Sequence, residues 1–511
     1  MLPNDYAEDS RDIAVEIGRN QLEVDHSIIQ PGLSTRLYNS DLAPTSRQGR
    51  QWSAYSIFAL WANDVHNLGN YAFAISLFSL GLGGWQILLA FSFGALFLFL
   101  LLTLSGYMGE KTGIPFPVMS RIAFGTRGAQ IPALLRGAVA IAWFGIQTYL
   151  ASLVLQLALL AVYPGLAVFQ ADRLLGLSTL GWASFLLLWG IQLVIVSYGM
   201  EMIRKYEAIA GPVILLTFIA LASWILLRAR FSIAWETAHA VSGFAMWMKI
   251  LGAAALWVSV YGTFILNFCD FTRAAKSRKS IFWGNFWGIP INMLLFAAIV
   301  VVLAGGQYRI DGHIIASPAD IVAMIPNTLL LVLATLSLLV LTIGVNLMAN
   351  FVAPTYALTN LLPQRLNFRK AALLSALIGL LVLPWNLYNS PLVIQVFLGG
   401  LGALLGPLFG IIMVDYWIIR KQKINVPDLY SDNGQGEYHY IAGSNPRAIC
   451  ALLISGGLAL GFTFLPVFAV FREFSWFMAA GLAGVIYFLL ADRRGPFTDV
   501  DGERIAVRPV H

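Results

Sequence analysis

Charge and cysteine are what this sequence has least of. Only 11% of its 511 residues are Asp, Glu, Lys or Arg, and it holds two cysteines and six histidines. So little charge leaves most of the surface unfit for water, which excludes an ordinary soluble domain. Cys269 and Cys450 are too few and too far apart for a disulfide framework or a thiolate metal site. No H-E-x-x-H or G-x-S-x-G pattern occurs, so the metal and nucleophile constellations of a membrane-embedded enzyme are missing. Rings of repeated charge, expected of a channel, are missing too. The first 54 residues contain no apolar run; no cleavable signal peptide is visible, and the first span is expected to act as the insertion signal.

What is abundant is apolar sequence, 58% of the residues. Stretches of about 20 apolar residues, each long enough to cross the hydrocarbon core as a helix, recur along nearly the whole chain. Twelve spans are expected, near Tyr55 to Leu80, Trp85 to Ser105, Gly137 to Val162, Thr179 to Met200, Tyr206 to Leu227, Met246 to Asn267, Gly284 to Ala304, Thr328 to Asn350, Ala371 to Leu387, Pro391 to Ile419, Arg447 to Phe468 and Trp476 to Ala491. The fold class is therefore an all-α membrane protein. With both termini inside, every basic residue falls in an inner segment except Arg173, Arg228, Arg230, Lys249, Arg309 and Arg472. That asymmetry supports an even helix count. The net charge of +6 accordingly reads as topology, and nucleic acid is not an expected partner.

The domain plan is a cytoplasmic tail over 1–54, a transmembrane domain over 55–491 and a second cytoplasmic tail over 492–511. The segment "KQKINVPDLYSDNGQGEYHYIAGSNPR" is the longest interior connection and reads as a cytoplasmic linker. The expected partner is the lipid bilayer, and the expected state a monomer.

Two spans look broken. The first carries "ALWANDVHNLGNYAF", with Asn63, Asp64, His66, Asn67 and Asn70 around Gly69; the sixth carries Tyr261-Gly262 in "LWVSVYGTFILNFCDFTR". They lie five helices apart, and paired interruptions at corresponding positions of two halves point to a transporter's binding site. Freed backbone groups are tolerated at that depth only where they line a cavity or bind something. Asp64 and His66 are costly in a span, which makes a functional polar site the favoured reading of the first break. Gly262 on its own is equally compatible with close helix packing.

Further candidates follow. In "IAWFGIQTYLAS", Trp143 and Gln147 are one turn apart on one helical face. An indole beside an amide suits a flat polar heterocycle, though taken alone the pair reads more readily as an interface Trp with a Gln bonded to a neighbouring helix. Asn346 and Asn350 are again one turn apart in "LTIGVNLMANFVAPT", where bonding to a neighbouring helix competes with ligand binding. Asp270 with Arg273, and Asp415, read as structural.

The combination of "YNSDLAPTSRQGRQWSAYSIFALW", "GIPFPVMSRIAFG", "AWFGIQTYLAS", "LNFCDFTR", "NFVAPTYALTNLLP" and "LGPLFGIIMVDYWIIRKQKINVPDLY" resembles the nucleobase:cation symporter family 1, which includes transporters of hydantoins, allantoin and uracil. The resemblance runs from Tyr38 to Tyr430. It implies a leucine-transporter-like fold, with inverted repeats over about 55–227 and 246–419 and two extra helices over 447–491. It also implies a ligand ring against Trp143, hydrogen-bonding amides at Gln147 and Asn350, and a polar side chain from the first helix at Asn67. Tyr261 stands where a second stacking aromatic, usually Trp, is found, so a compact base fits better than a bulky aryl-hydantoin.

The resemblance further places a sodium site at carbonyls of Asn63, His66 and Leu341 and at two hydroxyls whose positions are held here by Gly344 and Val345. Neither has a side-chain oxygen, and sodium needs oxygen ligands. Proton coupling is therefore expected, with Asp64 and His66 as candidate carriers, and no other cofactor. The resulting expectation is an inner-membrane symporter importing a small planar heterocycle by alternating access. Uracil is the first choice and thymine, allantoin or hydantoin are next. A sodium-coupled hydantoin or allantoin symporter and a non-transporting receptor are the alternatives.

Overall fold

The expected first span is two helices, α1 (Ala54–Val65) and α2 (Leu68–Ser79). The computed structural model describes residues 33–236, 242–313, 318–388, 399–493 and 495–507. Most of the tail over 1–54 and the start of the expected tenth span, from Pro391, lie outside the described residues. After the broken span come α3 (Gly84–Thr112), α4 (Gln130–Val162), α5 (Thr179–Ser197), α6 (Met200–Arg228), and a second pair, α7 (Gly243–Val260) and α8 (Gly262–Asn267). Then follow α9 (Arg278–Phe286), α10 (Asn292–Asp311), α11 (Thr328–Val345), α12 (Val352–Leu361), α13 (Phe368–Leu381), α14 (Gly399–Met413), α15 (Pro446–Phe464) and α16 (Ser475–Leu490). The described strands are one two-residue hairpin, Arg173–Leu174 with Leu177–Ser178.

Among the described residues nine helices are long and apolar enough to cross a membrane. The first of the twelve expected spans is divided, and the ninth contributes the 14 residues of α13, about 21 Å at 1.5 Å per residue and short of the ~30 Å core. Wider turns bridge α9 to α10 (Trp287–Ile291) and α11 to α12 (Asn346–Phe351). Leu96, Leu100, Leu216 and Leu329 are exposed on outer faces, as lipid contact requires.

The half-helix α1 sits at the centre, packed on α6, α9, α10 and α11. It is held there by glycines: a Cβ on Gly284 would come within 2.5 Å of Ile57 Cβ, and one on Gly288 within 2.6 Å of Trp61 Cβ. Helices α14, α15 and α16 pack mainly on one another.

One face of the bundle is laced by the tail segments. Arg273 donates to Thr45 Oγ1 at 2.9 Å and to the Asp41 and Ala43 carbonyls. Asp270 accepts from the Phe116 amide at 2.6 Å and from Asn267 at 2.7 Å. Asp270 and Arg273 are thus structural as expected, but not as a pair; each secures a different segment, and no ion pair joins them among the described residues. Asp415 does pair with Arg420, at 2.9 Å. The expected linker over 421–447 is a packed element instead. Leu429, Tyr430 and Tyr438 are buried, and Arg121 donates to the Leu429 carbonyl at 2.8 Å. Its polar composition disguised three anchoring side chains.

Candidate substrate and ion site

The break in the first span is built from its own amides. His66 ends α1 and Asn67, in extended conformation, caps α2. Ending a helix in the membrane frees carbonyls that no water can satisfy. Asn67 Nδ2 donates to the Asp64 carbonyl at 2.7 Å, and Asn70 Nδ2 to the carbonyls of Asp64 and Val65 at 3.2 and 3.1 Å. Asn67 Oδ1 in turn accepts from the Asn70 amide at 2.8 Å. Asn67 was expected to face ligand; instead both polar ends of its side chain are engaged in holding the break.

His66 points away from the break, into a sealed aromatic nest of Tyr71, Phe218 and Phe296. Asn292 donates its amide to the Trp61 carbonyl at 3.2 Å, which turns its Oδ1 towards His66 Nε2 at 3.0 Å. Nε2 is then the protonated nitrogen, and Nδ1 accepts from the Tyr71 hydroxyl at 2.8 Å. Neither ring nitrogen is open.

The second break is shallower, a single residue, Tyr261, between α7 and α8. Its hydroxyl accepts from Asn70 Nδ2 at 2.9 Å, so one side chain ties the two interruptions together. Its ring is buried on Trp257 and Trp61, at centroid separations of 5.2 and 6.1 Å. The expected second stacking ring is thus spent on packing.

A different group lies between α4 and α11. Asn346, in the wide turn after α11, donates to Thr148 Oγ1 at 3.0 Å, to the Phe144 carbonyl at 3.1 Å and to Gln192 Oε1 at 2.7 Å. Its own Oδ1 accepts from Asn350 Nδ2 at 3.0 Å, leaving the Asn350 oxygen without a donor among the described residues. Over the same α4 surface Trp143 is half-buried and Gln147 buried; neither makes a side-chain hydrogen bond among the described residues. Asn346 was expected to bond a neighbouring helix and does, and this is what orients Asn350. Gln192 carried no signal in the sequence. Wide helical turns recur at functional sites.

The expected ion region holds a carboxylate that sequence reasoning passed over. Asn63 Nδ2 donates to Glu207 Oε2, on α6, and both residues are fully buried. Gly344 faces them: a Cβ there would stand 1.9 Å from Asn63 Nδ2 and 2.9 Å from Glu207 Oε1. Leu341 is buried one turn earlier on α11. Neither Gly344 nor Val345 offers a side-chain oxygen, so the hydroxyl half of a sodium site has no donor here. The available signal was an acid just inside the fifth span, in "RKYEAIAG".

Two broken helices that meet at one tyrosine, within a bundle of membrane helices, are the layout of the leucine-transporter fold. The chain belongs to the family described as permeases for cytosine/purines, uracil, thiamine and allantoin, which matches over residues 44–488. It is 35% identical to "Allantoin permease" of Bacillus subtilis, over 89% of this chain and 94% of the relative. It is 33% identical to "Purine-uracil permease NCS1" of Arabidopsis thaliana, over 92% of this chain and 80% of the relative. Among solved structures it resembles Mhp1, a nucleobase-cation-symport-1 family transporter, in a closed conformation with bromovinylhydantoin bound. That match has a TM-score of 0.72 and 24% identity, over 92% of this chain and 99% of the other; at this identity the likeness shows the fold. The protein is thus a multi-pass membrane transporter for a small nucleobase-like molecule, and not an enzyme.

Proposed function

We propose that this chain imports a small heterocycle with alternating N–H and C=O groups by alternating access, with proton coupling, across an inner membrane with both tails in the cytoplasm. Uracil is the first choice, and thymine and hydantoin offer the same edge. The observation that carries the reading is the unengaged surface of α4, where the half-buried Trp143 stands one turn from the unbonded amide of Gln147. An indole face stacks a ring, and an amide presents both a donor and an acceptor to its edge. The partnerless oxygen of Asn350 adds an acceptor for a ring N–H. Asn67 acts in this reading by shaping the break beside the ligand, and Asp64 by offering its carbonyl to the capping amides.

Allantoin is the second reading. With Tyr261 packed away, only Trp143 offers a stacking face, so the ligand need not be flat on both sides. A hydantoin ring bearing a ureido arm then fits as well as a base, and the Bacillus subtilis relative is named for that substrate.

Counterflow separates transport from sensing. Reconstituted vesicles preloaded with unlabelled uracil are expected to accumulate external labelled uracil transiently, and excess thymine, allantoin or hydantoin to suppress this in order of affinity. Saturable binding without exchange would make the protein a receptor and overturn the reading.

A further inference from the structure

We propose that Glu207, bonded to Asn63, is the proton-carrying group of this transporter, occupying the space that Gly344 leaves open. The inference rests on the transport reading above and names the coupling group within it.

Three observations meet at this point. Glu207 is a carboxyl buried inside the bundle, 1% exposed, with no basic side chain paired to it among the described residues. Its Oε2 accepts from the Asn63 amide. Its other oxygen, Oε1, and the Asn63 amide oxygen, Oδ1, are both buried without a hydrogen-bond partner. A carboxylate and an amide can share only one hydrogen bond of this kind, because an ionised carboxylate has nothing to donate. Adding one proton to Oε1 makes the missing donor, and the matching acceptor is Oδ1 of the same Asn63. The neutral acid and the amide then complete a two-bond ring, and two orphaned buried atoms are satisfied at once.

The surroundings favour a proton over a metal ion. The position where a side chain of residue 344 would project is filled by the Asn63 nitrogen, 1.9 Å from that Cβ. A cation there would meet an N–H donor.

The neighbouring titratable groups leave Glu207 as the carrier. From α1, Asp64 is near enough to repel its charge, but neither of its carboxyl oxygens is among the buried atoms left without a partner. Tyr55 donates to the Ala208 carbonyl, and His66 at the helix end has both nitrogens engaged. On α6 itself, Tyr206 donates to the Val340 carbonyl at 2.6 Å, while Arg204 and Lys205 are drawn to Glu201. Helices α5 and α11 carry no titratable side chain, and those of α10, Tyr308, Arg309 and Asp311, lie at the end remote from Asn292.

Coupling follows from where the pair sits. Asn63 belongs to the half-helix that forms the break, and Glu207 to the helix packed along it. A proton taken from water on one side converts the carboxylate to the neutral acid, closes the two-bond ring and draws α1 to α6. Loss of that proton to water on the other side restores the charge beside Asp64 and loosens the contact. The protonation state thereby biases which side of the broken helix is open.

The test uses the full chain in sodium-free proteoliposomes, with labelled uracil and labelled allantoin as probes. For one proton per substrate, each unit of pH gradient, acid outside, supports about tenfold accumulation. The wild-type protein is expected to reach that order of accumulation. Glu207→Gln, fixed in an uncharged state, is expected to keep counterflow but to equilibrate substrate without accumulating it. Glu207→Asp, which retains an acid on a shorter arm, is expected to restore part of the accumulation. If Glu207→Gln does not fold, Glu207→Asp and substrate-triggered proton uptake by the wild type, read with an internal pH dye, carry the test. Accumulation by Glu207→Gln equal to wild type, partial rescue absent in Glu207→Asp, or wild-type accumulation that follows a sodium gradient at equal pH would each overturn the proposal. Counterflow with no response to pH would defeat this inference alone; absence of any counterflow would defeat the transport reading and this inference with it.

Discussion

Trp143→Ala weakens uracil binding by about five- to a hundredfold and reduces uptake accordingly, because stacking of a base on an aromatic side chain is worth about 1 to 3 kcal/mol. The effect is expected near the upper end. Tyr261, the only other aromatic expected at the ligand, is 2% exposed and packed on Trp257 and Trp61, so no second ring compensates. Trp143 is half-buried and bonds nothing through its indole among the described residues, which separates its role from that of a core tryptophan such as Trp61, whose indole donates to Asn285 at 2.8 Å. Binding is measured by equilibrium displacement of labelled uracil from purified protein, with thermal stability as the control for folding. Unchanged affinity in a stably folded Trp143→Ala variant would remove Trp143 from the site. Trp143→Phe should recover most of the loss, since it restores a ring.

Tyr261→Phe gives the second large effect, on turnover rather than on affinity. The ring stays in its packing. What goes is the hydroxyl that accepts from Asn70 at 2.9 Å, a side-chain link between the two broken helices. Its removal leaves a buried Asn70 N–H without that acceptor, a penalty of about 1 to 3 kcal/mol. The rate of exchange is expected to fall about tenfold or more, each 1.4 kcal/mol being one decade, while uracil affinity changes little. The opposite pattern, normal exchange in Tyr261→Phe with binding lost in Tyr261→Leu, would return the ring to its expected stacking role and refute the bridging role of the hydroxyl.

The sequence showed where the helices fail, and less of what the failures are for. Asn67 and Asn70 were legible as a break because amides clustered in an apolar run are costly unless the helix ends there and frees groups for them to bond. That their side chains are consumed in capping was not legible, because it depends on which carbonyls the unwinding frees. Tyr261 was placed correctly on the second interruption, yet its hydroxyl meets Asn70 only once the α7–α8 junction is brought to the α1–α2 junction. Glu207 was hidden by its position near a helix start, where acids commonly reach water; here Gly344 and Asn63 close over it. The amide ladder of Gln192, Asn346 and Asn350 draws on separate helices, so no single stretch contained it. The segment over 421–447 was misread for a related reason. Its many polar residues suggested a loose connection, while Leu429 and Tyr430 dock it on Arg121 and Tyr438 lies under Arg420.

The central claim is that a proton, not sodium, drives a heterocycle past the broken helix. Uptake of labelled uracil into vesicles containing the purified protein, with the pH gradient and the sodium gradient imposed one at a time, tests this most directly. Accumulation under an acid-outside gradient in sodium-free buffer, undiminished when sodium is absent from both sides, is the predicted result. Accumulation that requires a sodium gradient and ignores pH would contradict it.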